Sequence, residues 1–195
     1  MSTIIDTLIY DRTQADVDRV FELKNKIMSN GLSALTDNEK TEYMGGMKGA
    51  YNYTDMNRVG QAVTYLANRM QTIAQELKDY RVQKGVSDDD YYRMPYGSTG
   101  VTVDAKTNWA VGDIPTRAQA TAYIQNLTVL RNAVPLATAA PSIPTSLDRL
   151  TFGVANDIEH LLVMIDQRLT ELANERYDRI DRTSIAYTGL AYAGE

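Results

Sequence analysis

The sequence predicts a mainly α-helical bundle of two long and two or three shorter helices, with an irregular central loop and an extended C-terminal tail. Three observations carry that prediction. Two long stretches hold an apolar seam at alternating spacings of four and three, cap-type residues stand at helix starts, and glycines and prolines gather between the periodic segments. The 195 residues suffice for one domain, or for two small ones sharing an interface. Scaling surface with mass gives a compact chain of this size roughly 9,000 Å² of exposed area. The expected organisation is an N-terminal helical half over residues 1–86, a central irregular segment over 87–114, a C-terminal helical half over 115–182 and an extended docking tail over 183–195.

In chain order, Val17, Val20, Phe21, Lys24, Ile27 and Met28 form a helical face after Thr13, and a small helix is expected from about Asp37 to Met44. There Thr36 and Glu39 make the S/T-x-x-E capping box. The clearest signal runs from Thr54 to about Lys84, where Val59, Val63, Leu66, Met70, Ile73, Leu77 and Tyr80 form the first seam. Thr54 and Asp55 offer N-cap chemistry, and Gly85 stands where a left-handed residue would end the helix. Ala120, Tyr123, Ile124, Leu127, Leu130 and Val134 form a fourth face after Pro115-Thr116. The second seam comprises Ile158, Leu162, Ile165, Leu169 and Leu172, widened by Leu161 and Met164 and continuing toward Arg176 and Ile180. Superposing Asn57-Arg58-Val59 on Asn156-Asp157-Ile158 aligns the two seams, so a weak internal duplication is possible.

Between the halves, Pro95, Gly97, Gly100 and the alternating Val101-Thr102-Val103 read as turns and short extended structure. A connection of that length in a compact protein is functional or docked against something. Residues 135–146 hold three prolines among small residues and must cross the surface in extended form. The tail "TSIAYTGLAYAGE" places Ile185, Tyr187, Leu190 and Tyr192 in a strand-like pattern without a hairpin partner.

Composition narrows the function. A net charge of −5 with dispersed Lys and Arg argues against a nucleic-acid surface, and no apolar run reaches the roughly 18 residues of a membrane span. The acid at Asp6 stands where a secretory signal carries Lys or Arg, so export through a signal peptide is not expected. Zero cysteines exclude disulfides, thiolate nucleophiles, zinc ribbons and iron–sulfur clusters, and one histidine excludes multi-histidine metal centres. No cofactor is expected. The glycine cluster from Met44 to Asn52 lacks phosphate-loop spacing and reads as a tight reversal, and Asp88-Asp89-Asp90 lacks the alternation of a calcium loop. Asp157 and Glu159 point to different sides of their helix, and Asp166 lies six residues from His160, so no acid–base pair is visible. His160 reads as a packed or boundary residue, no serine lies in G-x-S-x-G, and enzyme activity is not expected. Sequons at Asn52 and Asn126 read as chance matches.

Thirteen tyrosines stand against two Phe and one Trp, and Tyr is favoured where a surface meets a partner. Tyr65 and Tyr123 sit on helical seams and read as core. Tyr91, Tyr92, Tyr96 and Trp109 in the central segment, with Ile185, Tyr187, Leu190 and Tyr192 in the tail, are the candidate partner-binding residues.

Two strings, "IIDTLIYDRTQADVDRV" and "GGMKGAYNYTDMNRVGQAVTYLA", with the close "YTGLAYAGE", resemble proteins encoded in the tail and baseplate regions of phages and prophages of Gram-positive gut bacteria. The matching positions are Asp11-Arg12-Thr13, Asp16-Val17, Arg19, Met47 to Asn52, Thr54-Asp55 and Asn57 to Val59. The resemblance implies a structural virion component, assembled in the host cytoplasm, touching other tail or baseplate proteins and forming a homo-oligomer in a symmetric assembly. It carries over no catalytic residue. A non-virion helical regulator or chaperone, and a tail-tip carbohydrate binder using Tyr91, Tyr92 and Trp109, are the alternatives.

Overall fold

The computed structural model describes residues 3–148 and 150–192, with side chains to Ala186. It contains helices α1 (Gln14–Asn30), α2 (Asp37–Met44), α3 (Tyr53–Gln83), α4 (Arg117–Ala133) and α5 (Phe152–Tyr192). Short 3-10 turns cover Ile4–Thr7, Leu32–Ala34 and Asp90–Tyr92. No strand occurs among the described residues, and the one bridge joins Met94 to Gly97. The protein is a mainly helical bundle.

The helix starts follow local chemistry. Thr13 with Asp16, Thr36 with Glu39 and Thr116 with Gln119 each exchange side-chain and backbone hydrogen bonds, satisfying amide groups that the first turn leaves free. At α3 the cap moves two residues upstream of the expected Thr54: Asn52 is the N-cap and Asp55 closes its box. Asn is as good an N-cap as Ser or Asp, and the earlier start frees Asp55 to face inward. Gly85, at φ 67°, ends the helix as expected.

The helices α3 and α5 run parallel. Arg58 meets Glu159, Arg69 meets Thr170 and Tyr80 meets Asp181, each pair separated by 101 residues in sequence. A constant offset means that both chains advance in the same direction at the same rise. The two seams therefore face one another in register. Val59, Val63, Leu66, Met70, Ile73 and Leu77 lie buried against Ile158, Leu162, Ile165, Leu169, Leu172 and Ile180. The α4 helix completes this core with Leu127 and Leu130, while α1 packs on α2 and the Leu32–Ala34 turn around a smaller cluster of Leu23, Leu35 and Met47.

One predicted feature is corrected. Residues 183–192 are helix, not an extended tail, so α5 spans 41 residues, about 61 Å. Without a strand to pair with, the backbone satisfies itself by extending a helix already nucleated, and only Gly189 opposes this by ~1 kcal/mol. The boundary at 182 accordingly falls inside one element. Val101 to Val103 belong to no strand. The central segment is irregular and docked, as its length led one to expect. It runs antiparallel along α3, from Asp88 at Arg81, through Gly100 beside Gln71, to Lys106 over Gly60 and Trp109 at Asn57. Added Cβ atoms at Gly60 and Gly100 would collide with Lys106 and Gln71, so glycine is what lets this strap lie flat.

The chain exposes 11737 Å², more than the roughly 9,000 Å² of a compact body of its mass. Two long parallel helices make a rod, and α5 runs on past the level of α3's last turn, so surface exceeds what a sphere would show.

Candidate functional site

At the shared start of the two long helices lies a cluster of four charges, three buried and one, Arg58, partly buried. Asp55 occupies the first turn of α3, Arg58 one turn later, Glu159 the second turn of α5, and Arg12 arrives on the segment before α1. The side chains of Arg12 and Glu159 are 1% and 0% exposed. Arg12 Nη2 donates to Glu159 Oε1 at 2.7 Å and to Asp55 Oδ1 at 2.8 Å. Arg58 forks onto Glu159, with Nε to Oε2 at 2.9 Å and Nη2 to Oε1 at 3.0 Å, and also donates to Asp55. The Ile9 amide donates to Glu159 Oε2 at 2.7 Å, the Asn52 amide to Asp55 Oδ2 at 2.9 Å, and Arg12 Nε to the Lys48 carbonyl at 3.1 Å. Two cations and two anions sum to zero. Every carboxylate oxygen has a donor, the condition under which buried charge is tolerated.

Beside it, the Arg12 guanidinium lies 5.5 Å from the Tyr51 ring centroid, and the Tyr51 and Tyr123 hydroxyls share a hydrogen bond at 2.5 Å. Burial pushes both phenols well above their usual pKa, so they stay neutral. Tyr123 also lines a cavity of about 250 Å³ between α3, α4 and the strap, walled by Val59, Val63, Trp109 and Ala122.

Three asparagines fix the backbone around this region. Asn57 exchanges two hydrogen bonds with the Trp109 backbone, Asn126 two with Asp104 and Asn156 two with Arg12, all between 2.7 and 3.0 Å. Each clamp satisfies an irregular segment's N–H and C=O where no strand partner exists. The internal alignment pairs Asn57 with Asn156, and each holds the segment leading into the other half's shorter helix. Those shorter helices differ in placement, since α4 packs on both long helices and α1 packs mainly on α2 and its turn. The sequon residue Asn126 is 7% exposed and its amide is fully engaged.

The predicted partner residues separate. Tyr91 is exposed at 56%, its ring under the Arg179 guanidinium at 4.5 Å. Tyr92 packs on the core and its hydroxyl meets Thr183 at 3.0 Å, and Tyr96 packs on the core with a buried hydroxyl. Trp109, 5% exposed, is an anchor of the strap, not a surface aromatic. Of the three aromatics named for the carbohydrate alternative, Tyr91 is thus on the surface and Trp109 is not. Ile185 is 69% exposed, and the side chains of Tyr187, Leu190 and Tyr192 lie outside the described residues. His160 is exposed and stacks on Tyr10 at 5.1 Å. Asp88 and Asp90 pair with Arg93, Asp88 also pairs with Arg81, and Asp89 caps the 3-10 turn. The glycine cluster makes the reversal expected of it, with Gly46 at φ 89° and Gly49 pressed on the Asp16 carbonyl.

Sequence reasoning missed the charge cluster. The available signal was Glu159 itself, an acid next to Ile158 and with Ala155, Leu162 and Val163 a helical turn away. The cluster joins both strings of the phage resemblance: Arg12 comes from the first, Lys48, Asn52, Asp55 and Arg58 from the second, and these residues tie the N-terminal segment to both long helices. No family model, no curated protein and no solved structure matches the chain.

Proposed function

We propose that the protein is a structural component of a phage virion, in the tail or baseplate, acting through protein–protein contacts. The observation that carries this reading is the surface. Area well above that of a compact monomer is studded with large apolar side chains: Phe21 and Met28 on α1, Leu32 on the turn after it, Met44 at the end of α2, Val111 and Ile114 on a turn, and Ile185 on α5. Single exposed hydrophobics need no explanation, but recurrent ones on helices and fixed turns suit contact with neighbouring proteins. The polar residues that the resemblance rests on are spent holding the fold, which suits a rigid part more than a reactive one. Within a virion, the rod of α3 and α5 serves as scaffold and its ends as docking points.

Mass spectrometry of purified particles tests the reading. A stoichiometric band is expected, and particles lacking the protein would overturn it in favour of a non-virion binding protein. A chain ending after Thr183 should lose only the helical signal of the residues removed and keep its melting behaviour, yet fail to enter particles, because α5 beyond that point passes the end of α3. Normal incorporation would remove docking from this end.

A further inference from the structure

The geometry points to the cavity between α3, α4 and the strap as a binding site for a neutral, one-ring organic molecule that carries a carbonyl group. Size comes first. At about 250 Å³ the cavity exceeds the roughly 150 Å³ that holds a benzene-sized guest and stays below the roughly 300–1,000 Å³ of drug-sized sites. One ring with a short substituent fills it. The wall suits a ring, since buried Val59 and Val63 line it from α3, Ala122 from α4, and the aromatic side chains of Trp109 and Tyr123 are part of the lining. Ala105, Gln119 and Ala122 are only half buried, so the space is reachable from their side.

The lining side chains also hold donors that lack acceptors. The Trp109 indole N–H is buried and meets no acceptor among the described residues. Tyr51 and Tyr123 bring two O–H protons to a single hydrogen bond, so one proton is left over, and when Tyr51 donates it is that of Tyr123, the lining residue. Gln119 uses its side-chain oxygen in the Thr116 cap, and its amide nitrogen has no acceptor among the described residues. A buried donor without an acceptor is unfavourable, so a guest that brings an acceptor oxygen gains what a guest of the same shape without one does not. That acceptor is neutral. Lys106, the one cation in the lining, already donates to the Asn108 side chain at 3.0 Å and lies 3.7 Å from Asp113, while Asp104 adds a negative charge on the exposed side. A carboxylate would enter with no counter-charge to meet it.

Titration of the full chain with acetophenone, ethylbenzene and benzoate, followed by proton–nitrogen correlation NMR, tests this. The three probes share a ring and a similar size and differ in the acceptor and its charge. The chain's one tryptophan gives a single indole N–H resonance, which acetophenone should shift saturably, with nuclear Overhauser contacts from the probe to the Val59 and Val63 methyls. Benzoate should bind at least about tenfold more weakly than acetophenone. Tyr123→Phe removes one donor and should lower the affinity for acetophenone relative to ethylbenzene by about threefold to tenfold. Ala122→Phe fills the cavity from α4 and should abolish binding of both. No saturable shift, benzoate binding as tightly as acetophenone, an unchanged affinity ratio in Tyr123→Phe or probe contacts elsewhere on the chain would each overturn the inference. If Ala122→Phe fails to fold by circular dichroism, the contacts to Val59 and Val63 fix the place instead. Particle composition is not read in this experiment, so its outcome is independent of the virion reading.

Discussion

Replacing Glu159 by Gln keeps the shape of the buried cluster and removes one charge. In the native chain Glu159 accepts from the Ile9 amide, from Arg12 and twice from Arg58, over 2.7–3.0 Å. After substitution two guanidinium groups face one carboxylate, leaving a net positive charge beside side chains that are 1% and 6% exposed. The Gln amide oxygen can still accept two of these bonds, so two are lost, and adding them at about 1.5–3 kcal/mol each overcounts only where water and rearrangement recover part of it. Breaking one member of a buried ion cluster costs about 3–5 kcal/mol in practice, and at this chain length that lowers Tm by about 6–20 °C. Arg12→Met should cost about as much, by leaving two carboxylates on Arg58. The double variant restores neutrality with Arg58 on Asp55, so its cost should fall short of the sum by at least ~1 kcal/mol. Urea unfolding of the four proteins measures this. Additive effects, or a Glu159→Gln cost under about 1 kcal/mol, would refute the account of the cluster as a neutral, mutually satisfied unit.

Gly60→Ala, which stabilises an ordinary helix, should destabilise this one by about 1–3 kcal/mol, because the new methyl meets the Lys106 carbonyl; the emission of the one tryptophan should shift red as the strap lifts. Asn57→Ala orphans the Trp109 N–H and C=O and should cost about 1–3 kcal/mol, with faster amide exchange across residues 104–110. Lys26 and the Thr36 backbone hold the Glu39 carboxyl at about 2, against 4.5 for a free side chain. Its pKa is depressed on folding, so its stabilisation is present above about 4.5 and fades as pH falls toward 2. Glu39→Gln should flatten that part of the pH dependence of the urea midpoint and leave neutral-pH slopes unchanged.

Much of the helical framework was legible because it is local. Capping boxes such as Thr36 with Glu39 act over three residues, and the seams from Val59 to Tyr80 and from Ile158 to Leu172 repeat at the helical period, so a linear reading finds both. Where the reading failed, the deciding partner was distant or, for a strand, absent. The tail alternates apolar residues as a strand does, but a strand needs an edge and a helix needs only the turn before it, which α5 supplies. The tyrosines and the tryptophan of the central segment looked like surface contacts because nothing nearby in sequence covers them; α3 covers Trp109 from 52 residues away. The candidate site was illegible for the same reason, since Arg12 and Glu159 are separated by 147 residues.

The sequence by itself determined the existence and approximate place of helices α1 to α4, the caps at Thr13, Thr36 and Thr116, which faces are apolar and the absence of thiol chemistry, since each follows from short-range geometry or composition. Only the tertiary structure decided that α3 and α5 lie parallel, that the central segment is a strap along α3 and that four charges share one largely buried cluster. A charge is unfavourable in such a place alone and acceptable when neutralised, and neutralisation is a property of the assembled fold, not of any one segment.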